Sequence, residues 1–142
     1  MQDKVTVESA LASFSERILG DVKILMIEDD VFLSELVMEK LSLDGCIPYS
    51  SPNGEEGLSL AEQYQPDIVI LDLMLPGIPG EEVLIKMKSS ETLKHIPVIV
   101  FSNKSDESDI KQNLASGAID YLVKSSTDLR DLPRIIKRAL GK

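Results

Sequence analysis

The chain has no tryptophan, one cysteine (Cys46) and one histidine (His95) in 142 residues. A single cysteine excludes an internal disulfide and fits a reducing compartment. Cys46 itself reads as a small, half-buried residue beside a strand start. His95 stands in a polar stretch before Ile96-Pro97, with nothing placed to pair with it, and reads as a surface loop residue. Basic residues are scarce: 15 Lys and Arg face 24 Asp and Glu, for a net charge of -9. That balance argues against a nucleic-acid-binding surface, which needs a basic patch. No apolar run approaches the roughly 20 residues that span a bilayer. The start, Gln2-Asp3-Lys4, lacks the apolar core of a signal peptide. The expected location is cytoplasmic, with no membrane partner. A Gly-rich Lys-Ser/Thr phosphate loop is also missing, which excludes a nucleotide-hydrolysing enzyme of that type.

Hydrophobic content of 43% and charged content of 27% suit a single soluble domain with one sizeable core. The most apolar stretch, Ile68-Val69-Ile70-Leu71, reads as a strand buried on both faces. Lys23–Ile27 reads as a first strand, Ile47 to Ser50 as a short, weak second one, Pro97–Phe101 as a fourth and Ile119–Val123 as a fifth. Helical spacing fills the gaps. Phe32, Leu33, Leu36, Val37, Leu41 and Leu43 trace an amphipathic helix closed by Gly45. Further helices are expected over Glu55–Tyr64, over Glu81–Ser89, from Ser105-Asp106-Glu107 to Leu114, and around Leu132, Ile135, Ile136, Ala139 and Leu140. Pro133 fits the first turn of the last helix, with Asp131 as its cap. Strands alternating with helices imply βαβ units and a parallel α/β sheet. Residues 1–20 stand apart. Val7, Leu11, Phe14 and Ile18 fall at helical spacing before Gly20, which suits an added helix on the domain, a frayed arm, or a helix for a partner or a second copy.

In a parallel sheet the carboxyl ends of the strands share one edge, where ligands bind. Here that edge receives Glu28 and Asp29 from the first strand, Asp72 from the third, Ser102 from the fourth and Lys124 from the fifth. Taken singly, each is unremarkable: Asp30 reads as a helix cap, and a lone Lys124 or Ser102 as a surface or turn residue. Together they form a constellation. Two like charges about 4 Å apart cost roughly 4 kcal/mol at an effective dielectric of 20. Either an acid protonates or a divalent cation sits among them. Oxygen-only ligands select a hard ion, and Mg²⁺ is the expected one. Asp29 and Asp72 are the expected direct ligands, with Glu28 acting through water and the Met74 carbonyl as a backbone ligand. The set suits phosphoryl transfer, with Asp72 as nucleophile and Lys124 and Ser102 neutralising the phosphoryl oxygens.

These residues resemble the receiver domain of two-component response regulators. The matching stretches are Glu28-Asp29, Asp72-Leu-Met-Leu-Pro-Gly, Ser102 and Tyr121-Leu-Val-Lys124. The intervals from Asp72 to Ser102 and to Lys124 are those of the family. The resemblance runs from about Val22 to Leu140. It implies a flavodoxin-like, doubly wound five-stranded sheet in order 2-1-3-4-5 with five flanking helices, as a stand-alone receiver over 21–142 after an extension over 1–20. It implies that Asp72 takes a phosphoryl group, with Mg²⁺, from a sensor histidine kinase or a histidine phosphotransfer protein. The protein would catalyse only its own phosphorylation and dephosphorylation. Ser102 and Tyr121 resemble the family's switch pair, which re-shapes the surface of helix four, strand five and helix five to control partner binding. That surface and the N-terminal helix are candidate homodimer faces. Met74, Asn103 and Lys104 fall where the family tunes the lifetime of the acyl phosphate. One departure stands out. The family has proline after the lysine, through a cis bond, and here Ser125 follows Lys124. Without proline a cis bond costs about 2.5–4 kcal/mol, so either a trans or a strained cis bond is expected.

The rival functions are weaker. A flavin module on this fold needs hydroxyls and N–H groups where Glu28, Asp29 and Asp30 stand. A haloacid-type phosphatase needs a second acid at Met74. A phosphorylation-independent interaction module on the same fold is the best alternative, and the intact acids and Lys124 speak against it.

Overall fold

The computed structural model describes residues 17–142. Five strands, β1 (Lys23–Ile27), β2 (Ile47–Ser51), β3 (Ile68–Leu71), β4 (Val98–Ser102) and β5 (Asp120–Val123), form one parallel sheet in order β2-β1-β3-β4-β5. Five α-helices alternate with them: α1 (Val31–Leu43), α2 (Gly54–Tyr64), α3 (Gly80–Ser89), α4 (Glu107–Ala115) and α5 (Leu132–Ala139). This is the expected doubly wound architecture and strand order. The residues read as an N-terminal helix lie outside the described residues up to residue 16. Arg17–Leu19 form a single 3₁₀ turn, with Leu19 buried.

The central strands are apolar at every position because both their faces are covered. Successive side chains of a strand point to opposite faces. Ile24, Met26, Ile68, Ile70, Ile99 and Phe101 therefore join one core, with Val37 and Leu41 of α1 and Leu132 and Ile136 of α5. Leu25, Ile27, Val69, Leu71, Val98 and Val100 join the other, with Ala61 of α2 and Val83, Leu84 and Met87 of α3. Each of these side chains larger than alanine stabilises the fold by roughly 1.5–3 kcal/mol.

Helix starts follow local chemistry where the backbone permits. Asp30 caps α1 by accepting from the Leu33 N–H, and Asn53 caps α2 by accepting from the Glu56 N–H. At Gly80 the first turn of α3 crosses the loop after β3 so closely that a Cβ would lie 2.1 Å from the Asp72 carbonyl oxygen. Only glycine allows that approach.

Four details differ from the sequence reading. In α1 the buried face is Ser34, Val37, Met38 and Leu41, while Phe32, Leu36 and Leu43 point to solvent. Apolar residues surround that helix, so spacing alone could not select its inner face. Asp131 occupies the capping position of α5 without capping it. The chain arrives through a 3₁₀ turn, Leu129–Asp131, so Asp131 has helical backbone angles instead of the extended ones a cap needs, and its carboxylate pairs with Arg134. Asp106 precedes α4 with extended backbone but makes no side-chain cap bond. Finally, β5 begins at Asp120, leaving Ile119 outside it and half exposed. Pro133 does lie in the first turn of α5. No peptide bond among the described residues is cis, so Lys124–Ser125 is trans, and a 3₁₀ turn over Lys124–Ser126 begins at that lysine.

Candidate functional site

Register sets the site. Ile27 of β1 pairs with Leu71 of β3, so the next residues, Glu28 and Asp72, leave neighbouring strands at the same level. The ladder continues past the strand ends: the Asp72 N–H donates to the Ile27 carbonyl (3.0 Å) and the Glu28 N–H to the Ser51 carbonyl (2.9 Å). Both carboxylates are thereby fixed by backbone, and both are buried, Glu28 at 2% and Asp72 at 4% exposure. Asp29 faces solvent. Carboxylate oxygens of Glu28, Asp29 and Asp72 all lie within 4.8 Å of one another.

The loop from β5 supplies the counter-charge. The Lys124 ammonium sits 2.6 Å from Glu28 Oε1 and 3.3 Å from Asp72 Oδ2. Glu28 Oε2 accepts the Asp30 N–H at 3.0 Å, and Asp72 Oδ1 accepts the Met74 N–H at 3.3 Å. Burial pushes the Glu28 carboxyl above its ordinary range; Lys124 and the Asp30 N–H pull it back, and the Asp72 charge adds to the rise. Burial pulls the Lys124 ammonium down, but the Glu28 hydrogen bond and the Asp72 charge outweigh it, and the net shift is upward. Lys124 is therefore charged throughout the physiological range. With one cation set against three carboxylates, the site keeps an excess of negative charge. An open pocket of about 220 Å³ lies over these groups, lined by Glu28, Asp29, Asp30, Asp72, Met74, Asn103 and Lys124.

Ser102 and Tyr121 form a second group beside the pocket. Ser102 is fully buried, and its hydroxyl accepts the Lys104 N–H at 3.2 Å. Tyr121 is half-buried against the α2–α3 core, and its phenol donates to the Lys104 carbonyl at 2.7 Å. Burial and the Asp109 charge raise the Tyr121 pKa against the opposing effects of Lys104 and Ser102, so the phenol stays a neutral donor. Lys104 also reaches across with its side chain, Nζ to Glu81 Oε2 at 2.8 Å.

All five residues expected at the edge, Glu28, Asp29, Asp72, Ser102 and Lys124, are at the carboxyl ends of the strands, four of them around the pocket and Ser102 behind its wall. Tyr121 is adjacent through Lys104. His95 is exposed in a turn that leads into the amino end of β4, away from the carboxyl edge that holds the site. Sequence reasoning missed Glu81. Its place in the first turn of α3 signals only a favourable dipole interaction, and nothing in the pattern announces its pairing with Lys104.

Comparisons with known proteins agree with this geometry. The response regulator receiver domain family matches over residues 24–137. A transcriptional regulatory protein of Streptomyces coelicolor, AfsQ1, is 37% identical over 101 residues, covering 71% of this chain and 44% of that protein. The master transcriptional regulator RpaA of Synechocystis is 38% identical over 102 residues, covering 72% and 42% respectively. The chain thus spans about half the length, or less, of these curated relatives. Among solved structures, the receiver domain of a signal transduction histidine kinase from Syntrophus aciditrophicus superposes with a TM-score of 0.76 at 28% identity, covering 84% of this chain and 89% of that one. The receiver domain of a DNA-binding response regulator from Colwellia psychrerythraea gives 0.78 at 25% identity, covering 86% and 100%. Fold, strand order, acid cluster and lysine therefore converge with the family match: the chain belongs to the response regulator receiver domains.

Proposed function

We propose that this receiver domain accepts a phosphoryl group on Asp72 from a phosphohistidine of a sensor kinase or phosphotransfer protein. The supporting observation is the buried Asp72 carboxylate, aligned with Glu28 by sheet register and faced by Lys124 under an open pocket. The donor set fits a hard divalent ion: three carboxylates, no nitrogen or sulfur, and an excess of negative charge. Glu28, Asp29 and Asp72, with the Met74 carbonyl, would hold Mg²⁺, which when bound neutralises phosphoryl charge.

The chain's own residues do the rest. An Asp72 oxygen attacks phosphorus, an O–P bond forms, the donor's N–P bond breaks, and the electron pair returns to the imidazole, which takes up a proton from solvent. Lys124, held charged by Glu28 and Asp72, stabilises charge on the phosphoryl oxygens. The protein acts only on its own phosphorylation and dephosphorylation. The new dianion draws the Ser102 hydroxyl away from the Lys104 N–H, and Tyr121 re-packs through its bond to the Lys104 carbonyl. The surface of α4, β5 and α5 changes in consequence. That surface carries a charged groove of about 320 Å³ lined by Asp120, Leu122, Asp131, Arg134, Ile135 and Arg138, a docking or self-association face.

Incubation with phosphoramidate and Mg²⁺, followed by intact mass and peptide mapping, tests this. The expected result is one phosphoryl group on Asp72, absent in Asp72→Asn and without the metal. A folded chain that gains no mass would favour the phosphorylation-independent interaction module.

A further inference from the structure

Lys104 is bonded in three directions. Its N–H donates to the Ser102 hydroxyl at 3.2 Å, its carbonyl accepts the Tyr121 phenol at 2.7 Å, and its ammonium donates to Glu81 Oε2 at 2.8 Å. The first two bonds engage the two residues that the proposed switch has to move. The third engages a residue in the first turn of α3, outside both the acid pocket and the switch pair.

Little else holds this stretch of chain. Among the described residues, no backbone–backbone hydrogen bond involves Asn103, Lys104 or Ser105, which join the end of β4 to the start of α4. Asn103 lines the acid pocket. A loop without backbone bonds shifts easily unless its side chains are tied. Glu81 stands on the opposite kind of structure. It follows Gly80, whose backbone crosses the Asp72 carbonyl so closely that no Cβ fits. The N–H groups of Glu82 and Val83 both donate to the Pro79 carbonyl, which fixes the turn that carries Glu81. The ion pair therefore ties a loosely held loop to the backbone that carries Asp72. It is half sheltered, with side-chain exposures of 37% at Lys104 and 29% at Glu81. Among the described residues neither group has a second ion-pair partner. The next acid, Glu82, pairs with Lys86 within α3.

We propose that Glu81 is a positioning residue for the switch: through Lys104 it holds the loop after β4 in its resting place and sets how readily Ser102 and Tyr121 rearrange. This role rests on the reading of Asp72 as the phosphoacceptor and adds a control point outside the pocket. A phosphoryl group favours the rearranged loop only by its differential interaction with the two arrangements, and the Glu81 contact weights the resting one. Removing the Glu81 charge lightens that weight, and by reciprocity an anion bound at Asp72 is then held more tightly. A partly exposed ion pair is weak, so the change is about two- to fivefold.

Two measurements on the full chain test this role. The first compares amide and Tyr121 ring signals without metal or phosphoryl analogue, so its outcome does not depend on phosphorylation. Glu81→Gln is expected to shift the Ser102–Ser105 amides and to broaden the Tyr121 ring signals. Glu82→Gln removes an equal charge from the same helix turn and is expected to leave both as in the wild type. The second titrates beryllofluoride, with Mg²⁺, as a stand-in for the phosphoryl group. Glu81→Gln is expected to bind it about two- to fivefold more tightly than the wild type, whereas a general loosening of the fold would weaken binding. Unmoved signals in Glu81→Gln, or equal shifts in Glu82→Gln, would overturn the proposal. So would unchanged or weaker beryllofluoride binding. A wild-type chain that binds no beryllofluoride would count instead against Asp72 as the phosphoacceptor, and the first measurement would still decide whether Glu81 holds the loop.

Discussion

Strands β3 and β5 both deliver functional side chains to the same edge, but they are held differently. Every residue of β3 is buried, and the strand pairs on both sides, with β1 and β4. None of β5 is fully buried, and among the described residues it pairs with β4 alone. Asp72 is thus clamped by the ladder bond to Ile27 and by the close crossing at Gly80. Tyr121 depends on one hydrogen bond to the Lys104 carbonyl, and Lys104 on a half-exposed pair with Glu81. The fold puts the proposed phosphoacceptor where nothing can shift and the proposed readout where little resists movement.

The difference can be broken from either side. Gly80→Ala should have the largest effect: its Cβ meets backbone that cannot give, and urea unfolding should show a loss of about 3 kcal/mol. Glu28→Gln acts on the same rigid side. The folded-state pKa of Glu28 lies above its ordinary 4.5, so the folded state holds that proton more tightly than the unfolded one. The stability this confers is complete below the unfolded value and is lost as pH rises through the folded one. Without divalent cations, Glu28→Gln should therefore raise the urea midpoint at pH 7 and flatten its decline above pH 4.5. On the looser side, Tyr121→Phe removes one partly exposed hydrogen bond and should cost about 0.5–1.5 kcal/mol. Glu81→Gln should be smallest in stability, about 0.5 kcal/mol, yet should broaden the Tyr121 ring resonances, because Lys104 loses its anchor. A larger stability loss in Tyr121→Phe than in Gly80→Ala would reverse the ranking of the two strands.

The strand ends were the legible part, on both sides. Ile68–Leu71 announces a doubly covered strand by composition alone, and Glu28, Asp29, Asp72, Ser102 and Lys124 follow strand runs directly, so their convergence needed only a parallel sheet. What escaped depends on packing that spacing does not encode. Phe32, Leu36 and Leu43 share helical spacing with Val37 and Leu41, and only the docked helix shows which set is inside. Asp131 looks like a cap until the preceding 3₁₀ turn gives it helical backbone. Glu81 and Lys104 are remote in sequence and meet only because the first turn of α3 comes beside the loop after β4.

Amide shift mapping on adding beryllofluoride with Mg²⁺, a stand-in for the phosphoryl group, tests the division of labour most directly. The account predicts large shifts at Ser102–Lys104 and across Asp120–Val123, with Ile68–Ile70 nearly still. Equal shifts along both strands, or a silent β5, would contradict it.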